Sequence, residues 1–238
     1  MEPRHIVGLS GGGDSTAMSL LLADTEPRQY EYICNATGNE LPPLFEHLDR
    51  LQDLLGRPIS RVGYHTDLHG LIDEVRMVPN FRARFCTRIL KIEPTIAYFA
   101  QLPKGSVLYV GLLADEPERP GLFGEDIVIR FPLRELGWTK KEVRAYLDKR
   151  GVVVPDRTDC ALCPYQRIAQ WHALWRDYPD EYAKGVEIER KYGHTFRSDG
   201  RDTWPASLAD LAKEFERGRK VRPYVKRNEG EPCRVCSL

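Results

Sequence analysis

The chain has 238 residues, of which 42% are hydrophobic and 29% charged, so it has enough apolar surface to bury the core of one or two domains. Its 35 basic and 35 acidic side chains balance, and the overall charge therefore indicates neither a nucleic acid nor an anionic membrane as a partner. The sequence shows neither a secretion signal nor an apolar run long enough to span a bilayer, which predicts a cytoplasmic protein with no membrane partner.

Five strand-like segments are rich in β-branched or aromatic residues and are bounded by Gly, Pro or polar clusters: 5–9, 30–37, 59–64, 106–114 and 126–131. Helical periodicity lies between them, as in 44–55, where Gly56 supplies a left-handed cap, and in the segment after Thr139, where Glu142 completes the spacing of a capping box. Strands that alternate with helices predict an α/β fold, a doubly wound and mostly parallel five-stranded sheet with helices on both faces.

After Gly151 the pattern changes to helices and loops, including a helix predicted over 207–218 with Ser207 as its N-cap. The chain therefore divides, as a prediction, into an α/β nucleotide-binding domain over residues 1–150 and a helical C-terminal region over 151–238. The C-terminal region carries four of the six cysteines.

Residues 10–16 read SGGGDST and lie between the first predicted strand and a helical segment. Glycines at a strand-to-helix turn let backbone N–H groups approach an anion closely, and the start of the helix adds the positive end of its dipole. The loop has neither the GxxxxGK[ST] nor the GxGxxG pattern, and Asn35 stands where a dinucleotide site has an acidic ribose ligand. The stretch predicts a phosphate-binding loop of another type, with a tight turn that binds no ligand as the alternative.

This loop resembles the SGGxDS signature of the PP-loop ATP pyrophosphatases, which hold the pyrophosphate of ATP while the bond between its α and β phosphates breaks. The resemblance implies an adenine nucleotide alpha hydrolase-like fold with ATP and Mg²⁺ as cofactors. Asp14 would help to hold the Mg²⁺ ion, because a carboxylate in an anion-binding loop needs a cation nearby. The residues that would line the phosphates are Ser10, Gly11, Gly12, Gly13, Ser15 and Thr16.

Four further stretches resemble the phosphoadenylylsulfate-reductase-like branch of these proteins: CNATGNELPPLFEHL (34–48), CTRILKIEP (86–94), GLLADEPER (111–119) and DCALCPY (159–165). The first departs from the common DTG spelling at Asn35 and Ala36. The resemblance implies that further nucleotide contacts come from Thr37, Gly38, Gly111, Asp115, Glu116 and Arg119. It implies catalytic roles for Asp14, Ser15, Cys86, Arg88 and Lys91.

The cysteines indicate metal or sulfur chemistry, since a reducing compartment disfavours disulfides. If the fold brings the CxxC of Cys160 and Cys163 next to Cys86, three thiolates would suit a [4Fe-4S] cluster with one open position. The CxxC of Cys233 and Cys236 is a candidate source of the fourth ligand or a mobile thiol pair that carries sulfur or electrons. Structural Zn²⁺ shared by the two CxxC motifs and unliganded thiols are the alternatives. Cys34, on a strand, is predicted to be a buried core thiol.

Basic residues crowd Cys86, namely Arg82, Arg84, Arg88 and Lys91. They predict an electropositive pocket that lowers the thiolate pKa or neutralises a cluster, with a solvated charged face as the alternative. A second basic run over 217–227 has the composition of a nucleic-acid-binding segment, and an ordinary exposed surface explains it equally well.

The leading hypothesis is an ATP pyrophosphatase that adenylylates an acceptor, either DNA or RNA, and supports sulfur transfer through an iron-sulfur cluster. The nearest functional analogues of this resemblance are the ATP pyrophosphatase of bacterial DNA phosphorothioation and then tRNA thiolation enzymes. The expected partners are the nucleotide, a cysteine desulfurase or other sulfur donor, and a second copy of the chain. The rival hypotheses are an adenylylsulfate or phosphoadenylylsulfate reductase and a non-catalytic, zinc-stabilised nucleotide-binding module.

Overall fold

A computed structural model of the chain describes residues 2–26, 28–116 and 127–223. Five parallel strands form one sheet in the order β3-β2-β1-β4-β5. Their bounds are β1 (His5–Gly8), β2 (Tyr30–Cys34), β3 (Ile59–Arg61), β4 (Val107–Tyr109) and β5 (Val128–Arg130). The strand order reverses between β1 and β4, and in such sheets ligands bind beyond the carboxyl ends of the strands at that point.

The helices are α1 (Gly13–Thr25), α2 (Pro42–Leu55), α3 (Leu68–Val75), α4 (Phe85–Thr87), α5 (Glu93–Phe99), α6 (Pro132–Glu135), α7 (Lys140–Lys149), α8 (Ile168–Asp177), α9 (Pro179–Tyr192) and α10 (Leu208–Glu216), with a π-helical turn at Arg88–Ile92. Three predicted caps are confirmed. Gly56 ends α2 in the left-handed conformation, with a φ of +61°. Thr139 and Glu142 form the capping box of α7, and the Ser207 side chain accepts a hydrogen bond from the Asp210 amide.

Side chains that alternate along the central strands build a core on each face of the sheet. Val7 and Tyr109 pack with α1 and α7, whereas the neighbouring residues Ile6 and Leu108 pack with Phe99 of α5. Both faces are therefore covered by helices, and the predicted doubly wound α/β sheet is confirmed.

Every predicted strand is present, but each is shorter than the sequence pattern indicates. After β2, the side-chain amide of Asn35 donates to the Val62 carbonyl at 2.8 Å, and the Thr37 amide donates to the Glu40 carboxylate at 2.8 Å. These bonds turn the chain out of the sheet before residue 37. The residues beyond the strand ends are thus used for loops rather than for sheet pairing.

The C-terminal helices share a core with part of the N-terminal half. Trp171 of α8 and Leu208 and Leu211 of α10 are fully buried in a cluster that also contains Ile72 of α3 and Leu90. This cluster contains residues from both sides of the predicted division at residue 150. The division of the chain into two domains therefore stays a prediction.

Candidate functional site

The glycine loop follows β1 and leads directly into α1, whose N-cap is Gly12. The Ser10 and Ser15 hydroxyls lie 3.1 Å apart, and the Ser15 hydroxyl also donates to the Gly12 carbonyl at 3.1 Å. An alanine Cβ at Gly12 would lie 3.5 Å from both the Ser10 and the Thr158 hydroxyl oxygens. Glycine therefore keeps the space between these two hydroxyls open at a helix start, where backbone amides have no acceptor within the helix.

Two glycines shape this loop by their lack of a side chain. Gly11 has a φ of +72°, and a Cβ there would come within 2.2 Å of a methyl carbon of Leu44. At Gly111, just after β4, a Cβ would lie 3.0 Å from the Ser15 amide nitrogen. Gly111 thus lets the end of β4 approach the first turn of α1. The ends of β1 and β4, between which the strand order reverses, therefore meet at the glycine loop.

The predicted magnesium ligand Asp14 has a cationic partner already. Its Oδ2 atom pairs with the ammonium of Lys140 from the start of α7, while Oδ1 is buried and has no hydrogen-bond partner among the described residues. A buried carboxylate oxygen without a donor fits a cation, so the loop has one position suited to Mg²⁺.

The Thr16 side chain points away from the loop opening. It is fully buried, and its hydroxyl lies 3.0 Å from Nε2 of His47 on α2. The helical turn directs this side chain into the core rather than toward the loop opening, and the prediction that Thr16 lines the phosphates stays a prediction.

The three predicted metal-ligating cysteines line one cleft. Cys86, Cys160 and Cys163 share it with Ser10 of the glycine loop and with Lys91. The space within the cleft is about 640 Å³, a volume that includes open solvent at its mouth. The fold thus brings the CxxC next to Cys86 and places both beside the glycine loop.

The π-helical turn decides which basic residues face this cleft. Along an α-helix, two positions five residues apart point in directions that differ by roughly 140° around the helix axis. A π-helical turn is wider, so two such positions lie closer to the same face of the helix. Lys91 thereby lines the cleft together with Cys86, while Arg88 is 63% exposed and pairs with Glu93 at 2.6 Å. The predicted catalytic role of Arg88 is therefore not supported by its position.

Burial dominates the electrostatics of the thiols. Burial, followed by the nearby Glu40 carboxylate, raises the pKa of Cys160 to about 12, and burial likewise raises the pKa of Cys163. Burial also raises the pKa of Cys86, an effect that the Lys91 charge opposes. The basic neighbours Lys91 and Arg84 thus act on the Cys86 pKa in the predicted direction, but desolvation outweighs them and the net shift is upward. Without a bound cation the thiols are protonated at neutral pH, so metal binding would displace protons.

The CxxC loop is anchored by the turn after β2. The Asn39 carbonyl and its side-chain oxygen accept the amides of Ala161 and Leu162 at 2.6 and 3.0 Å, and the Thr37 hydroxyl lies 3.1 Å from the Cys160 sulfur. Thr37 and Gly38, predicted to contact nucleotide, therefore lie where the turn meets the cysteines. Asn39 was not predicted, because its single amide carries no periodicity or spacing signal.

Replacing Asn39 with leucine is expected to destabilise the fold by about 2–4 kcal/mol, since it leaves the buried Leu162 amide without its acceptor. The free energy of unfolding from urea denaturation measures the effect. Gln101→Leu, an amide-to-leucine change on the exposed surface, should shift stability by less than about 0.5 kcal/mol. Equal effects of the two changes would contradict the anchoring role.

The segment after β4 only partly matches its predicted role. Glu116 is buried, and its carboxylate accepts the Leu113 amide at 3.0 Å within its own loop, whereas Asp115 is exposed. Arg119, Cys233 and Cys236 lie outside the described residues. Their predicted roles therefore stay predictions.

The basic run near the C-terminus is described up to residue 223. Arg219 stacks over the Trp204 ring at 4.1 Å and pairs with Glu214 at 3.0 Å, and Arg217 pairs with the same carboxylate. The guanidinium groups of these two arginines are therefore engaged within the protein, and a nucleic-acid phosphate would compete with these contacts. The remainder of the run lies outside the described part of the chain.

No protein-family model matches the sequence, and a search among characterised proteins finds no significant match. A crystal structure of phosphoadenylyl-sulfate reductase from Candida auris, in complex with phosphate, aligns with a TM-score of 0.50 and 13% identity over 65% of this chain and 76% of that one. The chain shares the fold of this reductase. The U34-tRNA thiolase NcsA from Methanococcus maripaludis, with its [4Fe-4S] cluster, aligns with a TM-score of 0.46 and 15% identity over 95% of this chain and 84% of that one.

Across the described residues, no group of three or more His, Cys, Asp or Glu side chains is arranged to hold a single metal ion. The predicted Zn²⁺ alternative would thus need ligands outside those residues or a rearrangement of the cleft. In the same part of the chain, no helix is both long and apolar enough to cross a membrane.

Proposed function

We propose that the chain is an ATP-dependent sulfurtransferase that cleaves ATP between the α and β phosphates and adenylylates an acceptor before sulfur enters. The observation that carries this proposal is the shared cleft, in which the glycine-loop residue Ser10 and the three thiols of Cys86, Cys160 and Cys163 face one space. A phosphate site and a thiol site that open into the same cleft allow activation and sulfur delivery at a single acceptor atom.

In the activation step, an oxygen of the acceptor attacks the α phosphorus, and the bond to the bridging oxygen breaks as pyrophosphate leaves. The amides at the start of α1 and the Ser10 and Ser15 hydroxyls are the donors that would stabilise the leaving pyrophosphate. Oδ1 of Asp14 is the position at which Mg²⁺ would be held.

The donor set of the cleft fits an iron-sulfur cluster better than a single ion. A [4Fe-4S] cluster takes its thiolates on separate irons, so its ligands need not converge on one metal atom. Cys86, Cys160 and Cys163 would hold such a cluster, and it would supply an iron with an open coordination position for sulfide. Lys91, which lines the same cleft, would offset the negative charge of the thiolates.

The proposed reaction requires an acceptor with an oxygen nucleophile and a source of activated sulfur. A nucleic acid fits the cationic lining that Arg84 and Lys91 give the cleft, and we extend the proposal to DNA or RNA as acceptor. A cysteine desulfurase is a sulfur source of the required kind. Sulfide displaces AMP when the acceptor-sulfur bond forms and the bond between the acceptor and the AMP oxygen breaks. Sulfur delivered as a persulfide is first reduced to sulfide by two electrons from a thiol reductant, which is oxidised to its disulfide.

Incubation of the metal-replete protein with MgATP is expected to release pyrophosphate and AMP, with the release stimulated by the correct nucleic acid and sulfur donor. The measurement is ³¹P NMR or separation of α- and γ-labelled products.

Adenylylsulfate and phosphoadenylylsulfate are tested in parallel with a thiol reductant, because the shared fold makes a sulfonucleotide reductase the second candidate. Formation of sulfite without pyrophosphate release would replace the proposed activity with that of a reductase. Nucleotide binding with neither product would indicate a non-catalytic module.

A further inference from the structure

The glycine loop contains no positive side chain of its own. Residues 10–16 read SGGGDST, and their single ionisable side chain is the carboxylate of Asp14. Polyphosphate that binds such a loop meets a negative charge, which costs binding free energy unless a cation compensates it. Mg²⁺ at Oδ1 of Asp14 would supply part of this compensation, and a cationic side chain from elsewhere in the fold would add to it.

Helix α7 brings that cation. Lys140 is the first residue of α7, and its ammonium pairs with Oδ2 of Asp14 in the first turn of α1. At the other end of the two helices, the Tyr146 hydroxyl donates to the Asp24 carboxylate at 2.9 Å. The helices thus run parallel, and both of their N-termini, which carry partial positive charge, lie at the glycine loop.

Packing fixes α7 in this position. Val143 and Leu147 are buried at 2% and 6% exposure, and a Cβ at Gly13 would lie 3.8 Å from a methyl carbon of each. The Lys140 side chain is 33% exposed and that of Asp14 is 17% exposed, so the pair lies at the surface of the loop rather than within the core. An anion can therefore reach the ammonium from solvent.

We propose that Lys140 is the phosphate-binding lysine of this site, and that its ammonium contacts the β and γ phosphates of ATP and the pyrophosphate that leaves. This inference rests on the proposed ATP pyrophosphatase function. An ammonium carries three N–H donors, so it can bind the Asp14 carboxylate and a phosphate oxygen together. Lys140 thus supplies from a second helix the charge that other phosphate-binding loops carry within their own sequence.

The test measures the affinities for inorganic pyrophosphate and MgATP by isothermal titration calorimetry. Lys140→Met is expected to weaken both by about tenfold or more, the usual effect of losing a hydrogen bond to a charged group. Lys140→Arg should retain most of the affinity, and Lys141→Met, a change at the exposed neighbouring position, should match the unmodified protein. Thermal unfolding of each variant checks that the fold is kept.

A second pair of variants separates a direct contact from an effect through Asp14. In an Asp14→Asn background, with Mg²⁺ omitted and pyrophosphate as the probe, Lys140→Met should still weaken binding. Affinity that is unchanged by Lys140→Met, or a loss that disappears in the Asp14→Asn background, would overturn the assignment while leaving the proposed function standing. Failure of the unmodified protein to bind either probe would remove both proposals.

Discussion

Replacement of Cys86, Cys160 or Cys163 by alanine is expected to abolish cluster binding and sulfur transfer. The unmodified chain, reconstituted without oxygen with iron and sulfide, should become brown and hold about four irons per chain. Each alanine variant removes one thiolate from a set of three that lines a single cleft, and no other cysteine among the described residues lines that cleft. The visible absorbance and the iron and sulfide contents should therefore fall to background.

Cys34 provides the matched control. It is 3% exposed and packs with Leu44 and Leu48 under α2, which confirms its prediction as a core thiol. Burial raises its pKa to about 11. Cys34→Ala should therefore keep the brown colour and the iron content. Stoichiometric zinc without iron in the unmodified protein, or colour that survives in the three cleft variants, would contradict the cluster.

Binding of MgATP should separate from cluster loss in the same variants. The glycine loop touches the thiol cleft through Ser10 but is built from β1, α1 and the end of β4. We expect the Cys160→Ala variant to bind MgATP with an affinity within about threefold of the unmodified protein, since no thiol belongs to the loop. The sulfur-containing product should be absent from this variant.

The sequence was sufficient to predict the sheet and the loop because their signals are local. Strand composition, the three glycines and the capping box at Thr139 each depend on residues within a few positions of one another. From the sequence, the meeting of Cys86 with the CxxC is a condition that only the fold can satisfy, and the cleft places these residues together. That juxtaposition spans more than seventy residues and depends on the turn after β2.

The sequence does not predict side-chain directions that tertiary packing decides. Thr16 belongs to a phosphate-loop motif, yet the buried His47 accommodates its hydroxyl in the core. Arg88 follows Cys86 closely in sequence, yet the π-helical turn points it to solvent while Lys91 faces the cleft. Lys140 was not predicted as a site residue at all, because nothing in its own segment indicates that α7 lies beside α1. Contacts between separate helices cannot be derived from the pattern within either of them.

Gly12→Ala is expected to reduce the rate of ATP cleavage by about a hundredfold or more while leaving the fold intact. The backbone at Gly12 has φ −76° and ψ 165°, which an alanine adopts without strain, and the nearest atoms to a new Cβ lie 3.5 Å away. The free energy of unfolding should therefore change by less than about 1 kcal/mol. The added methyl group would occupy the space between the Ser10 and Thr158 hydroxyls, where the proposed function places the leaving phosphates. Loss of donor access of this kind costs about a hundredfold in rate in comparable anion sites.

The comparison with two other glycines separates a blocked site from a damaged fold. Gly63 is exposed, and a Cβ added there would have no atom within 4 Å, so Gly63→Ala should leave both stability and ATP cleavage unchanged. Gly11→Ala should lose activity and stability together, because its φ of +72° and the 2.2 Å approach to Leu44 force the loop to move. Pyrophosphate release and urea denaturation are measured on all three variants. A Gly12→Ala protein that cleaves ATP at the unmodified rate would show that the phosphates bind elsewhere, and the glycine loop would then be a turn that only connects β1 to α1.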